Sequence, residues 1–211
     1  MFEGQIKLLQ ILSTRTIFVV YRNTPSFMRR FLLIILMCAL AISSSGCKKV
    51  RLRAQLKALM NSTVVLPERI TCINKGEVYP MPDSLRQKPM LIVYVDSADC
   101  ASCRVSKLWV YESLVETLSP YNVEVVILLA NVDLEGIPIT RYLSDIELSL
   151  PVYVDDRNEY LKDNPLVNQD SRFHSLLIDE AGCPSFVGDP LHSNKMMDVF
   201  NKALNHLNIS I

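Results

Sequence analysis

The sequence predicts an α/β domain in which a central mixed sheet is flanked by helices and carries an added N-terminal β-hairpin. Three observations predict it. Met90 to Val95 and Val123 to Ala130 are unbroken apolar runs rich in branched side chains, the pattern of strands buried on both faces. The stretch between them and the last stretch of the chain switch to helical spacing. Near the C-terminus, two short apolar runs flank Asp179-Glu180-Ala181-Gly182, a turn composition that reads as a hairpin.

Each element follows in order. Val64-Val65-Leu66-Pro67 and Ile70-Thr71-Cys72-Ile73, around Asn74-Lys75-Gly76, read as the added hairpin. Met90 to Val95 is the first buried strand, and Ser97-Ala98-Asp99 follows as a loop. Ala101 to Leu118 is helical, with Leu108, Tyr111, Val115 and Leu118 on the inward stripe and Pro120 ending it. Val123 to Ala130 is a second buried strand, Ile137 to Leu148 a second helix, and Pro151 to Val154 a short extended piece before a turn at Asp155-Asp156. Leu176-Leu177-Ile178 and Phe186-Val187 form the hairpin, and Lys195 to Leu207 closes the chain with Met196, Phe200, Ala203 and Leu207 inward. Right-handed crossovers around one mixed sheet accommodate this order. The sequence has no internal repeat.

The chain has 211 residues with 22 basic and 22 acidic side chains, so its net charge supplies no field for gripping nucleic acid. Hydrophobic content of 49% with only 6 Gly excludes a disordered or collagen-like chain. The charge is unevenly spread. Beyond Gly46 remain 17 basic and 21 acidic groups, a net charge near −4.

The asymmetry marks a targeting segment. Met28-Arg29-Arg30 precedes an uncharged run from Phe31 to Ile42, and Ser43-Ser44-Ser45-Gly46-Cys47 follows. A charged start, an apolar run too short for the ~20 residues of a membrane helix and a small-residue cleavage zone make an export signal. The ending resembles a bacterial lipobox, with Ser44 where Leu is usual, so Cys47 is the expected site of cleavage and acylation. The expected division is residues 1–27 as an upstream extension or mis-assigned start, 28–46 as a lipoprotein signal, 47–62 as a basic tether and 63–211 as the folded domain. The expected location is the bacterial cell envelope, facing the periplasm and anchored to the membrane by lipid.

Of six cysteines, Cys38 leaves with the signal and Cys47 is the lipid site. Cys72, Cys100, Cys103 and Cys183 remain, in a compartment where disulfides are chemically permitted. Cys100-Ala101-Ser102-Cys103 suits a redox couple or half a zinc site, but no second pair of ligands is spaced to complete the zinc, so no metal is assigned. Cys72 and Cys183 read as small buried hydrophobes in preference to a second disulfide. A thiol in the first turn of a helix faces unpaired N–H groups and the positive end of the dipole, both of which favour thiolate. Cys100 is therefore the expected nucleophile. Cys103, one turn on, is placed to resolve a mixed disulfide. Asp99 opposes this, since an adjacent carboxylate raises a thiol pKa.

These features resemble the thioredoxin superfamily, and most closely the TlpA-like thioredoxin-domain lipoproteins of bacterial envelopes. The resemblance runs from about Val64 to the C-terminus. Its carriers are the strand Leu91 to Val95, the Cys100 to Cys103 pair at a helix start, Ser175-Leu176-Leu177-Ile178-Asp179-Glu180-Ala181-Gly182 and Val187-Gly188-Asp189-Pro190. It implies a thioredoxin-like fold and a redox-active Cys100–Cys103 disulfide without a bound cofactor. The family's cis-proline before the hairpin strand is replaced by Phe173 or His174. A cis bond there without proline costs about 2.5 to 4 kcal/mol, so a trans peptide is expected. The dipeptide between the cysteines is Ala-Ser, without proline.

The resemblance places His174 near Cys100, where an imidazole modulates the thiol, joins two sulfurs in holding copper or zinc, or caps a buried polar group. His192 and His206 read as solvated, and Trp109 as packing. The leading function is a thiol/disulfide oxidoreductase, a reductase or isomerase acting on the thiols and disulfides of envelope proteins and reset by an upstream electron donor. The alternatives are a copper metallochaperone using Cys100, Cys103 and His174, and a redox-inactive binding domain. A peroxiredoxin is disfavoured because its Pro-x-x-x-Thr/Ser-x-x-Cys approach needs proline where Val93 stands.

Overall fold

The computed structural model describes residues 48–96, 108–134, 136–145 and 150–209. The chain divides into two compact units after Leu52; of the first, residues 48–52 are described, and they are helical and largely exposed. The second opens with helical residues 53–60 (α1), whose Leu59 is fully buried.

Among the described residues, seven strands make one sheet: β1 (Ile70–Asn74), β2 (Glu77–Pro80), β3 (Met90–Val95), β4 (Glu124–Ala130), β7 (Val152–Asp155), β8 (Ser175–Ile178) and β9 (Pro184–Val187). Two short strands, β5 (Asp133–Leu134) and β6 (Ile137–Pro138), pair with each other in a separate two-stranded sheet. The order across the sheet is β2-β1-β7-β4-β3-β8-β9. β3 runs parallel to β4 and β4 to β7, whereas β8 is antiparallel to β3 and β9 to β8. A parallel pair followed by an antiparallel hairpin, in the order β4-β3-β8-β9, is the core of a thioredoxin-like fold. The mixed α/β sheet expected from the sequence is thus observed.

All six residues of β3 are buried because the strand is covered on both faces. Side chains alternate across a strand. Leu91, Val93 and Val95 join a core cluster with Leu108, Leu114, Leu118 and Phe200, while Tyr94 lies on the opposite face against Tyr160. Helix α2 (Asp83–Arg86) buries no side chain, whereas α3 (Glu112–Leu118), α4 (Ile139–Ser144), α5 (Tyr160–Asp163) and α6 (Asn194–Ile209) each contribute buried residues. Phe200 of α6 meets Phe186 of β9 edge to face at 5.2 Å.

Four local expectations need correction. The added hairpin exists, but its partner strands are β1 and β2, joined by a two-residue turn in which Lys75 and Gly76 both have positive φ. Val64 to Pro67 forms no strand: the Val64 N–H reaches the Gly182 carbonyl, and Val65 is held by the Asn164 side chain. On the helix before Pro120, Leu114 is buried and Val115 exposed, because residues 108–111 form a 3₁₀ turn whose tighter winding shifts the inward stripe. The second helix is shorter than expected, since the residue before a proline is pushed toward extended backbone and Ile137 therefore joins β6. Residues 146–148, the rest of that expected helix, lie outside the described residues.

The hairpin motif has a direct physical basis. Asp179 Oδ1 accepts from the N–H groups of Ala181 and Cys183 at 2.9 and 2.8 Å, fixing the turn. Gly182 has φ +79°, and a Cβ there would lie 2.7 Å from the Val64 carbonyl oxygen. Only glycine fits.

Candidate functional site

The carboxyl end of the central strand β3 is the place to which the sequence assigns chemistry, because Asp96 leads from it toward Cys100. Cys100, Cys103 and Asp99 lie outside the described residues, as do Cys47 and the signal segment 28–46. His174 is described, together with the structure beneath it.

His174 ends the 3₁₀ turn Ser171–Phe173 and immediately precedes β8. Asp170 starts that turn: its Oδ1 accepts from the Arg172 N–H at 3.0 Å, and its carboxylate pairs with the guanidinium at 2.7 and 2.6 Å. The Arg172 guanidinium holds the Asp170 carboxyl below its ordinary pKa. The His174 carbonyl accepts from the Tyr94 N–H at 2.8 Å, prolonging the β3–β8 ladder beyond Ser175. Among the described residues no peptide bond is cis, in line with the trans peptide expected here.

The His174 ring is buried and meets the Tyr94 ring edge to face, with centroids 5.4 Å apart. Tyr94 in turn packs on Tyr160 at 4.9 Å. Tyr160 is fully buried, and its backbone N–H donates to Asp155 Oδ2 at 2.7 Å. Asp155 ends β7 and is itself fully buried. Among the described residues, neither its Oδ1 nor the Tyr160 hydroxyl has a hydrogen-bond partner.

Burial pushes the Tyr94 phenol well above the usual range, and the negative charges of Asp96 and Asp155 push it further. Burial does the same to Tyr160, with a smaller contribution from Tyr94. Both phenols are therefore neutral at any physiological pH. The end of β3 thus rests on a layer that is dry but polar: an imidazole, two neutral phenols and a carboxyl group. Sequence reasoning found His174 and missed Tyr94, Tyr160 and Asp155. The available signal was Tyr94 itself, the one hydroxyl-bearing side chain in an otherwise aliphatic strand.

The remaining cysteines separate clearly, and both are free thiols. Cys72 is buried, as expected, opposite Tyr79 on β2 and Tyr153 on β7. Burial pushes that thiol's pKa up, which suits a structural residue and not a nucleophile. Cys183 corrects the expectation. It is exposed, because the Asp179 turn directs the hairpin tip outward.

Trp109 is also contrary to expectation. It is 63% exposed, on the 3₁₀ turn where the flanking Leu108 is the buried residue. Among the described residues no group of three His, Cys, Asp or Glu side chains converges as a metal site. Two of the three donors of the copper alternative lie outside those residues. No helix among the described residues is long and apolar enough to cross a membrane.

No family model matches the chain, and no curated protein matches it. Solved structures do. The thioredoxin domain of a thiol-disulfide oxidoreductase from Bacteroides vulgatus is 17% identical with a TM-score of 0.43, covering 68% of this chain and 99% of that one. A thiol:disulfide interchange protein from a Bacteroides species is 17% identical with a TM-score of 0.42, covering 68% of this chain and 90% of that one. The mitochondrial 2-Cys peroxiredoxin of Plasmodium falciparum is 17% identical with a TM-score of 0.46, covering 70% and 95%.

Proposed function

We propose that the protein is a thiol/disulfide oxidoreductase of the bacterial envelope, a reductase or isomerase using Cys100 and Cys103. The observation that carries the reading is the position of β3. It is a central strand of a thioredoxin-like sheet, and the chain leaving its buried carboxyl end carries the Cys-x-x-Cys pair four residues beyond Asp96. In this account the Cys100 thiolate attacks a disulfide sulfur of an envelope protein, forming a mixed disulfide and releasing the partner's other sulfur as thiolate. Cys103 then attacks Cys100, which closes the Cys100–Cys103 disulfide and frees the reduced substrate. An upstream donor returns the pair to dithiol, and no bound cofactor is required. His174 and Asp99 act on the Cys100 pKa in opposite directions. The signal ending at Cys47 would deliver the domain to the periplasm on a lipid anchor.

The experiment is insulin reduction combined with trapping. Cys100→Ser is expected to abolish reduction, whereas Cys103→Ser retains the first attack and accumulates mixed disulfides visible on non-reducing gels. Activity surviving Cys100→Ser contradicts the assignment.

A further inference from the structure

Trp109 is the one tryptophan in the sequence and one of the most exposed large apolar side chains described. It lines a groove of about 710 Å³ between its own 3₁₀ turn and the turn that follows β9, with Val110, Glu112, Asp189 and Leu191 among the walls. The floor is firm, since Tyr111 and Leu191 pack against the core cluster.

The groove is apolar and negative together. Glu112 and Asp189 are half-buried, and neither takes part in an ion pair among the described residues. Asp189 is held in place, because its Oδ1 accepts from the Leu191 N–H at 2.9 Å as the cap of the turn Pro190–His192. An exposed indole beside two carboxylates that have no ion-pair partner among the described residues is complementary to a cation on a hydrocarbon stem, through the ring face and the charges alike. An anionic lipid surface or a nucleic acid would be repelled.

We propose that this groove docks an extended basic segment of a partner polypeptide, setting a Lys or Arg side chain against Trp109, Glu112 and Asp189 and an apolar neighbour against Leu191. The proposal names a substrate class for the oxidoreductase and rests on that reading only for calling the partner a substrate. Trp109 stands six residues beyond Cys103 in the sequence, so a docked segment would approach the helix that follows the cysteine pair.

The single tryptophan makes the test direct. The full reduced chain in detergent micelles, and the same chain carrying Cys100→Ser and Cys103→Ser, are titrated with a peptide of alternating Leu and Arg and with its Leu-Glu counterpart, following Trp109 fluorescence. The basic peptide is expected to shift the emission saturably in both proteins, with affinity falling at least tenfold between 50 and 500 mM salt, figures set by the screening expected for a surface charge pair. Glu112→Gln with Asp189→Asn, the latter retaining a capping side chain, is expected to weaken binding about fivefold or more while the circular dichroism is unchanged. Equal binding of both peptides, or an affinity untouched by the double substitution, overturns the proposal. So does sedimentation showing a dimer that Trp109→Ala dissociates, because the groove is then filled by a second copy. Peptide binding without insulin reduction would sink the oxidoreductase and leave the docking site standing; the reverse result would sink the docking site alone.

Discussion

The Tyr94 N–H donates to the His174 carbonyl at 2.8 Å while the two rings meet edge to face at 5.4 Å, so backbone and side chain both fasten His174 to the end of the central strand. The histidine is thereby fixed in position where β3 leads toward the cysteine pair. His174→Ala is expected to cost about 1 kcal/mol of stability from the lost aromatic contact. In the account proposed here it also raises the pH midpoint for alkylation of Cys100, because an imidazole partner of the thiol is removed. Iodoacetamide kinetics between pH 5 and 10 measure this, and an unchanged midpoint removes His174 from the redox chemistry.

Tyr160 carries a buried hydroxyl with no hydrogen-bond partner among the described residues. Such a group costs roughly 1 to 3 kcal/mol of desolvation, so Tyr160→Phe is expected to leave stability unchanged or raise it by about 1 kcal/mol. The pH dependence follows from the same burial. Tyr94 and Tyr160 have folded pKa values raised above the unfolded value near 10, so their contribution is fully present below about pH 10 and is lost as pH rises toward the folded values. Urea melts at pH 9 and pH 11 should show that loss, with a smaller difference in Tyr160→Phe. Strong destabilisation by the substitution at neutral pH would show that the hydroxyl has a partner.

Much of the sheet was legible because the buried strands are continuous apolar runs: Met90 to Val95 was found to the residue, and Val123 to Ala130 to within one. What escaped was set by tertiary context. β2 is an exposed edge strand of four residues ending in proline, without the apolar pattern that marks a strand, whereas Val64-Val65-Leu66 has that pattern but is fixed by a side-chain amide and a loop carbonyl. Tyr160, Val167 and Phe173 are all buried, yet they sit on short helical turns below the length at which periodicity shows. In the site, His174 was legible by its place before the hairpin. Asp155 was not, since its burial depends on a strand from a different part of the chain.

Asn164 ties that irregular segment to the N-terminal one. Its side chain accepts from the Val65 N–H at 2.9 Å and donates to the Val65 and Tyr160 carbonyls at 2.8 and 2.7 Å. Asn164→Ala is expected to cost about 1 kcal/mol, since the side-chain tie to Val65 is lost while the Tyr160 carbonyl keeps the backbone N–H of residue 164 at 3.0 Å and exposed Val65 can turn to water. A denaturant midpoint within error of the parent would contradict this.

Two glycines should respond differently to alanine. Gly76 has φ +81° but open surroundings, with the nearest contact of a built Cβ at 3.6 Å, so Gly76→Ala carries only the conformational cost of about 1 kcal/mol. Gly182→Ala adds a clash with the Val64 carbonyl oxygen at 2.7 Å and is expected to cost at least twice as much. Thermal melts of the two variants give the order, and equal losses would show that the Val64 segment yields freely.

Thiol accessibility separates the free cysteines. Exposed Cys183 is expected to react with a thiol reagent in the folded protein, and Cys72 only on unfolding, because burial protects it. Mass mapping after a brief labelling pulse tests this, and early modification of Cys72 would contradict it.

The reduction potential of the Cys100–Cys103 pair, measured against glutathione or dithiothreitol in a Cys72→Ser, Cys183→Ser background, bears most directly on the proposed chemistry. A working oxidoreductase is expected to fall between about −120 and −270 mV, the span from strong oxidants to thioredoxin-type reductants. A potential below about −300 mV, the range of inert structural disulfides, or the failure of the two cysteines to form a disulfide, would contradict it.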